Sequence, residues 1–186
     1  MPFPREGLSD EVVALRLPVE ADAAWIAAEV ADPEVPRWTR IPSPYTKDDA
    51  FAWIALADSM AREGSAYHLV ITSAADGALL GSAGLELHER PAPHGELGYW
   101  VAAPARGRGV GTRAVRLLSA WGLGPLALPL LEIHVLPDNG PSRTVARKAG
   151  FARAGERLLP FRGRVEEFHV YARNAAGAAV SDRPGA

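Results

Sequence analysis

The sequence predicts a single mixed α/β domain, an α+β arrangement in which helices cover a mixed sheet. Three observations predict it. Runs rich in β-formers come first and helix-like runs are then interleaved with them, the pattern of a sheet with helical cover. The chain has 186 residues, enough for one domain with a substantial core. No internal repeat and no linker divides it: residues 1–173 read as one domain, and the small, polar stretch 174–186 reads as a disordered tail.

Each element has its own warrant. Val12–Leu17 reads as the first strand. Ala21–Ala31 reads as a helix with Ala24, Trp25 and Ala28 on its apolar side. Thr46-Lys-Asp-Asp49 has the form of a capping box, with Asp in the Glu/Gln place, and opens a helix from Lys47 to about Arg62. Tyr67–Thr72 and Ala78–Leu87 are strands joined through Ala75-Asp76-Gly77, a hairpin signal. After the loop "HERPAPHG" come the strand Leu97–Val101, a glycine-rich loop and the helix Thr112–Trp121. Leu131–Leu136 is a strand, and Pro137-Asp138-Asn139-Gly140-Pro141 turns into a helix ending near Ala149, with Gly150 as its C-cap. Phe151–Leu158 and Val165–Arg173 form a final hairpin bridged by "LPFRGR".

Composition narrows the function classes. Hydrophobic residues make up 48% and charged residues 23%, as in a soluble globular domain. A formal net charge of −2 gives no general pull toward nucleic acid or an anionic membrane, so neither is an expected partner. With no cysteine, disulfides, a thiol nucleophile and thiolate metal sites are excluded. His68, His88, His94, His134 and His169 form no close ligand motif, and no metal is implied. No apolar run reaches the roughly 18 residues of a membrane span, and the N-terminus lacks an apolar signal core. A cytoplasmic monomer or homodimer is the expectation.

The run Arg106-Gly107-Arg108-Gly109-Val110-Gly111-Thr112 carries most of the functional information. It joins the apolar stretch Glu96-Leu-Gly-Tyr-Trp-Val101 to a helix. Alternating glycines let a backbone approach a ligand without Cβ clashes. Free amides and the positive end of a helix dipole suit an anion such as a pyrophosphate. Arg106 and Arg108 add planar donors suited to phosphate. A P-loop is excluded, because neither lysine, Lys47 or Lys148, lies in a Gly-Lys-Ser/Thr triplet. A dinucleotide fingerprint fails at Thr112, which stands in the third glycine's place, and Glu132 opens the next apolar run where that fold needs an acid at its close. The spacing R-x-x-G-x-G is met by Arg106, Gly109 and Gly111.

That spacing resembles the acetyl-CoA pyrophosphate loop of the GCN5-related N-acetyltransferases (GNAT). The longer stretch "ELGYWVAAPARGRGVGTRAVRLLSAW … LEIHVLPDNGPSRTVARKAGF" resembles the RimJ/RimL-type ribosomal-protein N-acetyltransferase branch, strongly from Glu96 to Phe151. "RWTRIPSPYTKDDAFAWI" is a weaker match to the acceptor-side helices. The resemblance implies a mostly antiparallel, seven-stranded mixed sheet flanked by about four helices and splayed between strands 4 and 5. It implies acetyl-CoA as the donor and direct transfer, in a ternary complex, to a primary amine on a protein N-terminus or a small molecule. A non-catalytic acyl-CoA-binding sensor is the alternative.

By the same resemblance, backbone groups of Trp100 and Val101 pair with pantetheine, and the run from Arg106 to Thr112 holds the pyrophosphate. Asn139 is both helix cap and pantetheine ligand. Glu96 is the candidate base, acting through water, and His134 is the second candidate. The wider family's acid tyrosine is replaced by Ala146, and Ser142 is the branch's hydroxyl beside the cofactor sulfur. The glutamate that some members have in the last hairpin falls near Phe161, so that role is not carried over. Trp38, Tyr45 and Glu86 are candidates for the acceptor pocket.

Overall fold

A computed structural model describes residues 2–89 and 91–175. The strands are β1 (Leu8–Ser9), β2 (Val13–Arg16), β3 (Ala66–Ser73), β4 (Leu79–His88), β5 (His94–Val101), β6 (Leu130–Val135), β7 (Ala152–Phe161) and β8 (Arg164–Asn174). The helices are α1 (Ala23–Val30), α2 (Glu34–Trp38), α3 (Lys47–Glu63), α4 (Val110–Leu123) and α5 (Gly140–Lys148). The predicted tail beyond Ala175 lies outside the described residues.

The strands form one sheet in the order β1-β2-β3-β4-β5-β6-β8-β7. Every neighbouring pair is antiparallel except β5 and β6. These two run parallel and pair only at Gly95–Leu131 and Glu96–Glu132. Beyond that point they diverge, so the expected splay falls here. One short extra strand shifts its number from 4/5 to 5/6.

Helices cover both faces. Leu69, Leu85 and Leu97 and, across the splay, Leu131 and Ile133 pack against Val110, Ala114, Val115, Leu118 and Trp121 of α4. On the other face Ile26 and Val30 of α1, Val35 of α2 and Ile54 of α3 pack against Val70. Alternation along β5 therefore sends Leu97 and Tyr99 to the α4 face, and Glu96, Gly98 and Trp100 to the opposite one. Leu118 is fully buried, so cutting it to Ala costs about 2–5 kcal/mol.

Local signals hold at the helix ends. Thr46 accepts from the Asp49 amide at 3.2 Å while Asp49 accepts from the Thr46 amide at 2.8 Å, the predicted capping box. Asn139 Oδ1 caps α5 through the Ser142 amide at 3.1 Å. Gly150 takes a left-handed φ of 88° just past it. The Asp76-Gly77 turn closes β3–β4, with the Ala78 amide on Asp76 Oδ1 at 3.1 Å and Gly77 at φ 74°.

Three expectations need correction. The described residues form eight strands where seven were expected, because β1 has two residues and exists only by pairing with β2. Among the described residues there are five α-helices where about four were expected: the fifth is α2, "EVPRW", too short for a periodic signal. In α1 the buried side is Ala23, Ile26 and Val30, whereas Ala24 and Ala28 are exposed and Trp25 half-buried. An alanine-rich helix offers little contrast between faces, so its phase was misread and Ile26 and Val30 decide it.

Candidate active site

A cleft of about 1190 Å³ runs through the splay between β5 and β6 and on between α1, α2, α3 and the sheet. Its donor end is built around the glycine loop. Gly109 is the N-cap of α4 at φ 80°, and no side chain caps that end. The first turn of α4 therefore offers its amides to the cleft, which Gly107, Gly109, Val110, Gly111 and Thr112 all line. Nothing lies within 4 Å of where a Cβ would sit on Gly98, Gly107 or Gly109, so an open track runs along the wall. A Cβ on Gly111 would come within 3.3 Å of the Tyr99 ring. This cradle fits a pyrophosphate with an extended arm entering the splay.

The two arginines of the loop go different ways. Arg106 lines the cleft, but its Nε donates to the Val101 carbonyl at 2.9 Å and its guanidinium pairs with Asp32 at 2.7 Å. Arg108 is exposed and is not part of the wall. Left-handed glycines on both sides of it turn the chain at that point. Trp100, Val101, Asn139 and Ser142 line the gap itself. The Ser142 hydroxyl lies 2.8 Å from the Tyr99 hydroxyl, and Ala146 is fully buried beneath.

The acceptor end gathers Trp38, Ile41, Tyr45 and Trp53 with Glu86, Glu96 and His134. Glu86 and Glu96 stand directly opposite each other across β4 and β5, so both carboxylates share the cleft face. Phe161 of the last hairpin completes the wall, and Arg162 beside it donates to the Ile41 carbonyl at 2.8 Å.

Residues 13–152 match the model of the acetyltransferase (GNAT) domain. The chain belongs to the GNAT acetyltransferase family. It is an acetyl-CoA-dependent N-acetyltransferase. The uncharacterized N-acetyltransferase p20 of Bacillus licheniformis is 27% identical over 151 residues, 81% of this chain and 84% of its own. Mycobacterium smegmatis RimJ in complex with CoA-disulfide has a TM-score of 0.80 at 24% identity, over 91% of this chain and 85% of that one. The ribosomal-protein-S5-alanine acetyltransferase from Vibrio fischeri has a TM-score of 0.78 at 20% identity, over 90% and 95%. At such identities the two structures speak for the fold.

In this GNAT enzyme the polar side chains of the acceptor floor form one chain of charge. His134 Nε2 lies 2.9 Å from Glu132 Oε2, and Arg157 pairs with the same carboxylate at 2.8 Å. His134 Nδ1 faces Glu96 Oε2 at 3.2 Å, a charge contact without hydrogen-bond direction. Arg40 reaches Glu96 at 3.4 Å, and His88 stands 3.8 Å from it. Burial pushes Glu96 up, but His134 and Arg40 outweigh it and hold the carboxyl down to about 2. Burial likewise raises Glu132, and His134 and Arg157 bring it down to about 2. Burial opposes charge on His134, yet Glu132 and Glu96 on either side raise its pKa. A raised pKa favours the charged imidazole, which has no lone pair to take a proton, so this direction weighs against His134 as the base.

Arg157, Arg40, Tyr99 and Asp32 carry no signal in the sequence, and Glu132 enters there only as a rejected dinucleotide acid. Glu132 and His134 alternate on β6, a signal that could have paired them; the others come from distant elements. Separately, the β7–β8 register gathers ligand atoms of Glu156, Glu167 and His169 within 4.8 Å, although the sequence offered no ligand motif; none of the three lines the cleft.

Among the described residues no helix is long and apolar enough to cross a membrane.

Proposed function

We propose that this enzyme acetylates a primary amine, on a protein N-terminus or a small molecule, by direct attack while donor and acceptor occupy the cleft together. The observation that carries the reading is the continuity of the cleft. The uncapped α4 N-terminus, the splay and a carboxylate-bearing floor line one cavity, so a thioester from one side can meet an amine from the other.

Amides from Gly107 to Thr112 take the pyrophosphate, with Arg106 beside them and Arg108 adding only long-range charge. Backbone groups of Trp100 and Val101 and the side chain of Asn139 hold the pantetheine arm, and a strand amide faces the developing oxyanion. Glu96 attracts the acceptor ammonium and orders the water through which its proton leaves; a carboxyl held down to about 2 stays ionised but is a weak base, so its part is mainly electrostatic. His134 acts as the charged partner that keeps Glu96 in this state. Ser142 donates to the departing sulfur. Trp38, Tyr45 and Glu86 shape the acceptor end, and Glu86 adds a second carboxylate for a cationic acceptor. The ribosomal-protein enzyme among the structural neighbours favours a peptide N-terminus as the first acceptor to try.

The test is thiol release from acetyl-CoA against short peptides with different N-termini, lysine, polyamines, amino acids and aminoglycosides. Steady release with one amine class, following sequential kinetics, is expected. Ping-pong kinetics would overturn direct transfer.

A further inference from the structure

Ser142 is held at two points. Asn139 fixes its amide at 3.1 Å, and the Tyr99 hydroxyl lies 2.8 Å from its Oγ. Tyr99 comes from β5, on the α4 side of the sheet, and its ring occupies the space that Gly111 leaves by having no Cβ. One tyrosine thus touches the pyrophosphate loop with its ring and α5 with its hydroxyl.

Either oxygen could donate across 2.8 Å, and the surroundings decide which does. If Ser142 donated, its single proton would be used up. The tyrosine proton would then go to the Ser142 carbonyl at 3.4 Å, a poor contact, or turn into the cleft, and the less acidic hydroxyl would be the donor in the shared bond. If Tyr99 donates, it makes the shorter bond, and the serine proton is free to turn into the cleft, which both residues line.

We propose that Tyr99 is a positioning residue: by donating to Ser142 Oγ it aims the serine proton at the leaving sulfur of the thioester. This rests on the reading of Ser142 given under Proposed function. The amine lone pair forms the C–N bond, and the C–S bond breaks with its electron pair going to sulfur. The extra proton on nitrogen leaves through water toward Glu96. Ser142 donates a hydrogen bond to the thiolate, which then takes its proton from solvent. Tyr99 keeps its own proton throughout, because burial pushes its hydroxyl up to about 12, whereas an ordinary thiol sits at about 8.5.

The test compares Tyr99→Phe, Ser142→Ala and the double variant. Removing one oxygen from an intact ring should lower kcat about three- to tenfold, the worth of a neutral hydrogen bond, with acetyl-CoA affinity unchanged within about twofold. The double variant should be no slower than Ser142→Ala, since Tyr99 acts only through the serine. A second readout needs no acceptor: the thiol of bound CoA, titrated by the ultraviolet absorbance of its thiolate, should rise by about half a pKa unit in Tyr99→Phe. Wild-type kcat and thiol pKa in Tyr99→Phe, with Ser142→Ala slowed, would overturn this role while leaving Ser142 its own. Losses that multiply in the double variant would also overturn it. An unimpaired Ser142→Ala would remove the serine assignment beneath it.

Discussion

The donor end of the cleft comes from one stretch, residues 98–142, whereas the acceptor end is collected from α2 and the loop after it, α3, β4, single residues of β5 and β6, and the β7–β8 hairpin. The donor end works mainly through backbone: uncapped amides, open glycines and a strand edge left bare by the splay. The acceptor end works through side chains that meet only after folding, as Arg162 meets Ile41 and Arg40 meets Glu96. A site made of backbone needs a few permissive residues in order, and a motif records that. A site made of gathered side chains leaves no such record. The two ends should therefore fail differently when altered.

The largest effect is expected at the donor end. Gly109→Glu places a side chain and a like charge in the proposed pyrophosphate cradle, at a φ of 80° that also strains any L-residue. Acetyl-CoA affinity by calorimetry should fall more than about a hundredfold, the two causes together exceeding about 2.7 kcal/mol. Unchanged binding would break the assignment of the loop and with it the comparison.

Glu96→Gln removes charge at the point where the two ends meet. Turnover should drop by roughly a hundredfold, with acetyl-CoA affinity kept, because the donor end does not use this side chain. Weakened cofactor binding would mean that the ends are less separable than their construction suggests.

Acid should weaken the acceptor floor. Glu96 and Glu132 are held near about 2 against an ordinary 4.5. Their folded pKa values lie below the unfolded ones, so the stability they contribute is full above pH 4.5 and lost as pH falls toward 2. His134 is shifted the other way, so its share is full below its ordinary 6.5 and lost as pH rises through its folded value. Urea unfolding from pH 6 to 3 should show a loss on the order of 2 kcal/mol, reduced in Glu132→Gln. Equal acid sensitivity in that variant would discard the charge chain as its source.

The smallest effect is expected at Asp32→Ala, which cuts the tie between the turn after α1 and Arg106. Both partners are partly exposed, so acetyl-CoA affinity should change less than about threefold. A larger change would mean that α1 couples the acceptor side to the loop.

Legibility followed the same division. The capping box of α3, the Asn139 cap and the Gly150 terminator are local contests among neighbouring backbone groups, and the residues that win them stand next to each other in sequence. The α1 phase was misread because alanines on both sides left only Ile26 and Val30 to mark the core. Trp38, Tyr45 and Glu86 could be placed near an acceptor by resemblance, but not given partners. The positively shifted His134 could not be foreseen either, since its state depends on Glu96 from β5 as well as Glu132 on its own strand.

The sequence by itself pointed to the family, to the order of all the strands and α-helices except the shortest of each, β1 and α2, and to the glycine-rich loop that opens α4. Each of these depends on residues close in sequence or on the alternation of a strand. Only the tertiary structure decided that Arg106 turns to Asp32, that Tyr99 meets Ser142 and that Glu96, His134, Glu132 and Arg157 form one chain of charge. Such contacts depend on register and on how elements pack, and many sequences with the same local pattern would place those side chains elsewhere.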